Sequence, residues 1–140
     1  MQETNIKSYA KLNLTLDIIG KTEDGYHRIE SIMHEIELHD IIQIKKLNEN
    51  KLMLHCNVRE LETPDNIAFK SAMLIKSRFD IKQGAVIKII KNIPLGAGLG
   101  GGSSNASVVL RVLNELWNIT CLSLCYAISH LKLALMCRFF

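Results

Sequence analysis

Hydrophobic and polar positions alternate along residues 7–19. Leu12, Leu14, Leu16 and Ile18 fall on one parity; Lys11, Asn13, Thr15 and Asp17 fall on the other. A period of two predicts a half-buried strand with Lys11 and Asn13 side by side on its polar face. A polar turn follows at 20–25. Apolar positions return over 31–47, at Ile32, Ile36 and Leu38 and then at Ile42 and Ile44, and Asp40 between them predicts a break into two short strands. Leu52, Leu54, Cys56 and Val58 alternate again. Then the period lengthens. Pro64-Asp65-Asn66 reads as a helix start, with Ala68, Ala72, Ile75 and Phe79 on one face behind it. Gln83-Gly84 is a turn and residues 85–91 are a further strand. Ala106, Val109, Leu110, Leu113 and Trp117 recur at i, i+3, i+4 and i+7, which predicts a helix running out at Trp117-Asn118, with Ser103 or Ser104 as its N-cap.

Between the last strand and the last helix lies Pro94-Leu95-Gly96-Ala97-Gly98-Leu99-Gly100-Gly101-Gly102-Ser103-Ser104, which holds five of the chain's 8 glycines. A loop so poor in Cβ atoms lets a ligand approach the backbone closely. Opening into a helix N-terminus, it presents free N–H groups and about half a positive charge, which is a phosphate site. It is not a Walker A loop, because no Gly-Lys-Ser/Thr follows. The G-x-G-x-x-G at Gly96 to Gly101 lacks the second strand ending in an acid that a dinucleotide site needs; Glu115 lies inside the helix. The protein-kinase glycine loop joins two strands, whereas this one opens a helix. A flexible Gly/Ser linker is opposed by Pro94 and by the regular elements on both sides.

The loop, continued by Asn105-Ala106, resembles the phosphate loop of the GHMP kinases, a family of ATP-dependent small-molecule kinases. Two further stretches carry the same resemblance: Ala10-Lys11-Leu12-Asn13-Leu14 and Asp24-Gly25-Tyr26-His27. The resemblance covers residues 8 to about 118. It implies an α+β fold, with a mixed or antiparallel sheet and helices packed on one face. It implies that Pro94 to Ser104 wrap the phosphates of ATP, with Gly101→Val expected to abolish ATP binding. Asn66 would border the adenine pocket, and Lys91 would meet phosphate or ribose, a solvated lysine being the alternative. Lys11 would sit near the reacting hydroxyl, with Asn13 beside it in the substrate pocket, and Mg²⁺ would bridge the phosphates. Tyr26 and His27 match the branch of the family whose substrate is a cytidine-diphosphate-linked methylerythritol, phosphorylated on its 2-hydroxyl in isoprenoid precursor synthesis. An aromatic face suits a pyrimidine ring, and a ring nitrogen suits its polar edge. Family members acting on homoserine or mevalonate have no base to stack there.

Composition narrows the rest. The chain has 140 residues, 48% hydrophobic and 22% charged, which suits one globular domain. A net charge of +3 with scattered lysines does not point to nucleic acid. The polar start Met1-Gln2-Glu3 predicts no signal peptide, and four cysteines without one predict a reducing, cytoplasmic setting. His34, His39 and His55 lack the spacing of metal ligands, so no metal site is expected from protein side chains.

Residues 120–140 carry only Lys132 and Arg138 as charges. A membrane helix is opposed by Ser123, Ser129, His130 and Lys132, the lysine alone costing about 3 kcal/mol. A zinc site from Cys121, Cys125, His130 and Cys137 has no standard spacing. The remaining reading is a damaged helix. The family carries Gly-Ala-Asp-Val-Pro-Phe-Phe near this position, and its Asp is the catalytic acid/base partner. Codons for that segment, read one nucleotide on, spell Ala-Leu-Met-Cys-Arg-Phe, which stands here at 134–139. The expectation is therefore an N-terminal ATP-binding domain over 1–118 and an aberrant, frame-shifted tail over 119–140, with Met136 near the place of the missing Asp. The C-terminal family domain would be absent. Such a chain would be inactive, or would serve as a non-catalytic nucleotide-binding fragment.

Overall fold

The computed structural model describes residues 4–23 and 25–119. Asp24 and residues 120–140, with Met136 and most of the expected aberrant tail, lie outside them. In chain order the elements are β1 (Thr4–Lys21), β2 (His27–Leu47), β3 (Leu52–Cys56), a single 3-10 turn (Arg59–Leu61), α1 (Ile67–Arg78), β4 (Gly84–Ile90) and α2 (Gly101–Leu116). The sheet order is β1-β2-β4-β3. β1 and β2 pair antiparallel, as do β2 and β4, while β3 runs parallel to β4. Antiparallel neighbours need only a turn, but the parallel pair needs a crossover, and α1 supplies it.

Alternation selects the residues that meet the helices. Ile42 and Ile44 on β2, and Ala85, Ile87 and Ile89 on β4, are buried in one core. Ala68, Ala72 and Ile75 of α1 join them, with Ala106, Val109, Leu110 and Leu113 of α2 and then Trp117. The predicted face of α2 is thus the buried face, residue for residue. Ile42, Ile87 and Ile89 are among the largest fully buried side chains, and trimming one to Ala would cost about 2–5 kcal/mol.

Both helices stop by the same device. Asp80 (φ 48°) and Asn118 (φ 52°) take the left-handed conformation just past the C-caps Phe79 and Trp117. The Ile81 N–H then donates to the Lys76 carbonyl at 3.0 Å, and the Ile119 N–H to the Asn114 carbonyl at 2.9 Å. Asp80 and Asn118 donate in turn to Ser77 and Glu115. These paired bonds satisfy carbonyls that a helix end leaves open. Lys76 adds its ammonium to the Ile81 and Gln83 carbonyls, and burial pushes that ammonium below the ordinary lysine range.

Three expectations are corrected. First, β1 and β2 extend beyond the helices as a two-stranded ribbon, so Leu14 and Ile18 are 61% and 66% exposed rather than half-buried. The pairing also slips between Asn13 and Thr15, so the alternation does not keep one face across that point. Alternation marks a face fit for burial; here the helices cover only the base of the ribbon. Second, Asp40 does not break β2, which runs unbroken from His27 to Leu47. The register irregularity lies nearby, where β1 steps from Tyr9/His39 to Ala10/Ile36. Third, the N-cap of α2 is Gly100, not a serine. Gly100 is left-handed at φ 72°, and this turns the loop into the helix several residues early, leaving Ser103 and Ser104 inside the first turn.

Candidate nucleotide-binding site

The glycine loop is tethered at three points. At its entrance the chain leaves β4 through Lys91, Asn92 and Ile93. The Lys91 N–H donates to Asn57 Oδ1 at 2.7 Å, and the Asn57 amide returns a bond to the Lys91 carbonyl at 3.2 Å. At the crown, the Lys11 N–H donates to the Leu99 carbonyl at 2.9 Å. At the exit, Ser8 Oγ lies 2.8 Å from both Ser104 Oγ and Asn105 Oδ1. One hydroxyl donates once, so Ser8 gives its proton to the amide oxygen and accepts from Ser104. All three of these side chains are buried.

These tethers place Lys11 against the loop. A Cβ on Gly100 would stand 3.0 Å from Lys11 Cγ. Lys11 Nζ in turn donates to Asn13 Oδ1 at 3.1 Å, so the alternation read from the sequence does put the two side chains together. Gly100 O accepts the Ser104 N–H at 2.9 Å, the first bond of the helix. The N–H groups of Gly101, Gly102 and Ser103 precede that bond and have no intrahelical acceptor. With the helix dipole and Lys11 nearby, and with the Lys91 charge met by Asp40, the loop mouth is electropositive.

Gly101 and Gly102 differ in what they face. A Cβ at Gly101 would come within 2.9 Å of Lys91 Nζ and 3.0 Å of Ile93 Cγ2, so this glycine lets α2 settle onto the chain leaving β4. The expected effect of Gly101→Val therefore has a different cause from the one read in the sequence: the collision is within the protein. Gly102 is exposed, and a Cβ there would meet only Ile67 Cδ1 at 3.6 Å. It borders two hollows. One, of about 230 Å³, lies over the loop and is lined by Pro94, Leu95, Gly96, Ala97, Gly98, Leu99, Gly100, Gly101, Gly102 and Ser103. The other, of about 310 Å³, lies towards the start of α1, between Leu61, Thr63, Asn66, Ile67 and Leu95. Lys91 lines both.

Asn66 lines the second hollow, but its amide is already engaged. Oδ1 caps α1 by accepting the Ala68 N–H, and Nδ2 donates to the Leu61 carbonyl, each at 3.0 Å. Tyr26 and His27 stand apart from the loop. His27 pairs with Lys21 at the far end of the ribbon, ten residues along β1 from Lys11. That is at most about 33 Å of strand, and less where bulges bend it. The described residues thus gather Lys11, Asn13, Lys91 and the loop, and hold Tyr26 (59% exposed) at the ribbon tip. Among the described residues no group of three His, Cys, Asp or Glu side chains could hold a metal ion. His55 faces Glu62 at 3.5 Å, and His39 packs edge-on to Tyr9.

Sequence reasoning missed Asp40, Ser8 and Asn57, and named Asn105 in the loop motif without a role. Asp40 left one signal, a carboxylate flanked by apolar runs. Ser8 and Asn57 had none, because a polar side chain that meets a partner far away in the chain looks like a solvated one.

A glycine loop opening a helix on a mixed sheet is the arrangement of a family. The chain matches the GHMP kinases N terminal domain over residues 66–135 and belongs to that family. It is similar to the 4-diphosphocytidyl-2-C-methyl-D-erythritol kinase of Clostridium botulinum (strain Eklund 17B / Type B), with 50% identity over 116 residues, or 82% of this chain. The enzyme of the same name from Clostridioides difficile (strain 630) is 46% identical over 85% of the chain. The chain spans only 41% and 40% of the length of these two relatives. Among solved structures, a 4-(cytidine 5'-diphospho)-2C-methyl-D-erythritol kinase superposes with a TM-score of 0.75 at 28% identity, over 95% of this chain and 48% of the other. The mevalonate kinase of Methanococcus jannaschii shares the fold at a TM-score of 0.63 and 18% identity, over 90% and 44% of the two chains.

Proposed function

We propose that this chain forms the ATP-binding part of a kinase that phosphorylates the 2-hydroxyl of 4-diphosphocytidyl-2-C-methyl-D-erythritol, a step towards isoprenoid precursors. One observation carries the reading: the backbone bond from Lys11 to Leu99 joins a lysine to the mouth of an electropositive glycine loop. Phosphoryl transfer asks the protein mainly for positioning and charge neutralisation. The loop from Pro94 to Ser104 takes the phosphates of ATP with Lys91 against its first helical turn, and the hollow beside Asn66 takes the nucleoside end. Lys11 orients the acceptor hydroxyl, with Asn13 holding the lysine. Tyr26 stacks on the cytosine and His27 bonds its polar edge. The substrate names of the relatives support that assignment.

Mg²⁺ belongs to this reading as a partner of the ATP phosphates, since magnesium keeps several waters and leans on substrate phosphates. The described residues offer it no cage. Among the described residues no helix is long and apolar enough to cross a membrane. A reducing, cytoplasmic setting belongs to the same reading.

The proton acceptor of the reaction is the family's Asp, expected in the segment after Asn118, and residues 119–140 contain no Asp or Glu. The reading for this polypeptide is therefore nucleotide binding without turnover. Calorimetric titration of the purified 140-residue protein with ATP should show saturable binding. Incubation with ATP and the cytidine substrate should release no phosphorylated product. Absence of ATP binding by folded protein would refute the site, and rapid phosphorylation would refute the missing acid/base.

A further inference from the structure

Asp40 has no exposed surface, and the reading above gives it no task. A lone buried carboxylate is strongly disfavoured, so its partners indicate what it does. All three belong to the residues that lead into the glycine loop. Oδ1 accepts the N–H groups of Asn92 at 2.7 Å and Ile93 at 2.8 Å, and Oδ2 receives the ammonium of Lys91. The Lys91 side chain is itself only 5% exposed. Its Nζ lies 2.9 Å from the point where a Cβ on Gly101 would stand, which puts it against the first residue of α2. A cation there faces the positive end of the helix dipole and is repelled by it. Asp40 offsets that repulsion. It uses one of the three ammonium donors and leaves two.

We infer that Asp40 is a positioning residue of the phosphate site: it clamps Lys91 beneath the first turn of α2, so that the ammonium and the helix N–H groups act on one anion. The inference rests on the ATP-binding reading. It also accounts for Gly101, where any side chain would push the clamped lysine away.

The test uses Asp40→Asn, Lys91→Gln and the double variant, each titrated with ATP and with adenosine. Asp40→Asn keeps an oxygen for the two N–H groups but turns an amide towards Lys91. ATP affinity should fall about ten- to a hundredfold in each single variant, while adenosine affinity changes by less than about twofold. The double variant should lose no more than either single one, because both remove one arrangement. A merely structural Asp40 would weaken both ligands alike and add to the loss from Lys91→Gln; either result overturns the inference. Wild-type ATP affinity in Asp40→Asn overturns it too, and leaves the ATP site standing. If the wild-type protein itself binds no ATP, the nucleotide reading fails and this inference with it. Should Asp40→Asn not fold, Lys91→Gln decides: an ATP-selective loss supports the clamp, and an equal or absent loss refutes it.

Discussion

Gly102 offers a direct probe of where the phosphates lie. It is the second residue of α2, and its backbone is not among the left-handed glycines. A Cβ there meets nothing closer than Ile67 Cδ1 at 3.6 Å, an ordinary contact. Gly102→Val should therefore fold. Glycine is about 1 kcal/mol worse than alanine in a helix interior and valine lies between, so stability should stay level or rise by a few tenths of about 1 kcal/mol. Binding should behave oppositely. Gly102 borders both hollows, and a branched side chain would stand before the unpaired N–H groups of the first turn. Losing one hydrogen bond to a charged group costs about 1.5–3 kcal/mol, or roughly ten- to a hundredfold in Kd. Calorimetry with ATP, beside thermal melting of the same samples, reads both effects. A variant that melts like wild type and binds ATP equally well would mean that the phosphates do not sit over this turn. The same change at Gly101 would mix two causes, since its Cβ strikes Lys91 and Ile93.

Further outcomes follow from the tethers and the helix ends. Ser8→Ala leaves Ser104 and Asn105 without their buried partner and should cost about 1–3 kcal/mol; a urea midpoint shifted by less than a few tenths of about 1 kcal/mol would show the triad to be dispensable. Asn118→Val forces a branched side chain into φ 52° and should lose about 1–2 kcal/mol, whereas Asn118→Gly should hold or gain; equal melting of the two would refute the cap. The Glu62 carboxyl is held below its ordinary value of 4.5, first by the Cys56 N–H that donates to it, with burial opposing and His55 assisting. Its folded pKa lies below the unfolded one, so its contribution is complete above about pH 4.5 and is lost as pH falls through the lower folded value. Glu62→Gln should flatten that part of the acid limb in a pH series of melting temperatures, and an unchanged limb would remove Glu62 from the account.

The sequence by itself determined both helices and the place of the loop, but it split β2 at Asp40 where the strand runs unbroken. Helical periodicity named the buried face of α2 through Trp117, because that face depends only on spacing along one helix. The glycine run suggested a phosphate site without help from the fold, because a backbone site needs no distant side chain. Alternation paired Lys11 with Asn13 on the same local grounds. It did not say that the outer ribbon stays exposed, since burial requires a covering element and the helices sit over the base. Nor did it say what Asp40 does. Asp40 meets the Lys91 ammonium from 51 positions away, and Ser8 meets Ser104 from 96. Those separations are closed only by the register of β2 on β4 and by α2 crossing β1. A carboxylate inside an apolar strand is a defect in one dimension. It became an anchor only when the sheet brought a cation and two free N–H groups to it, and that decision belonged to the tertiary structure.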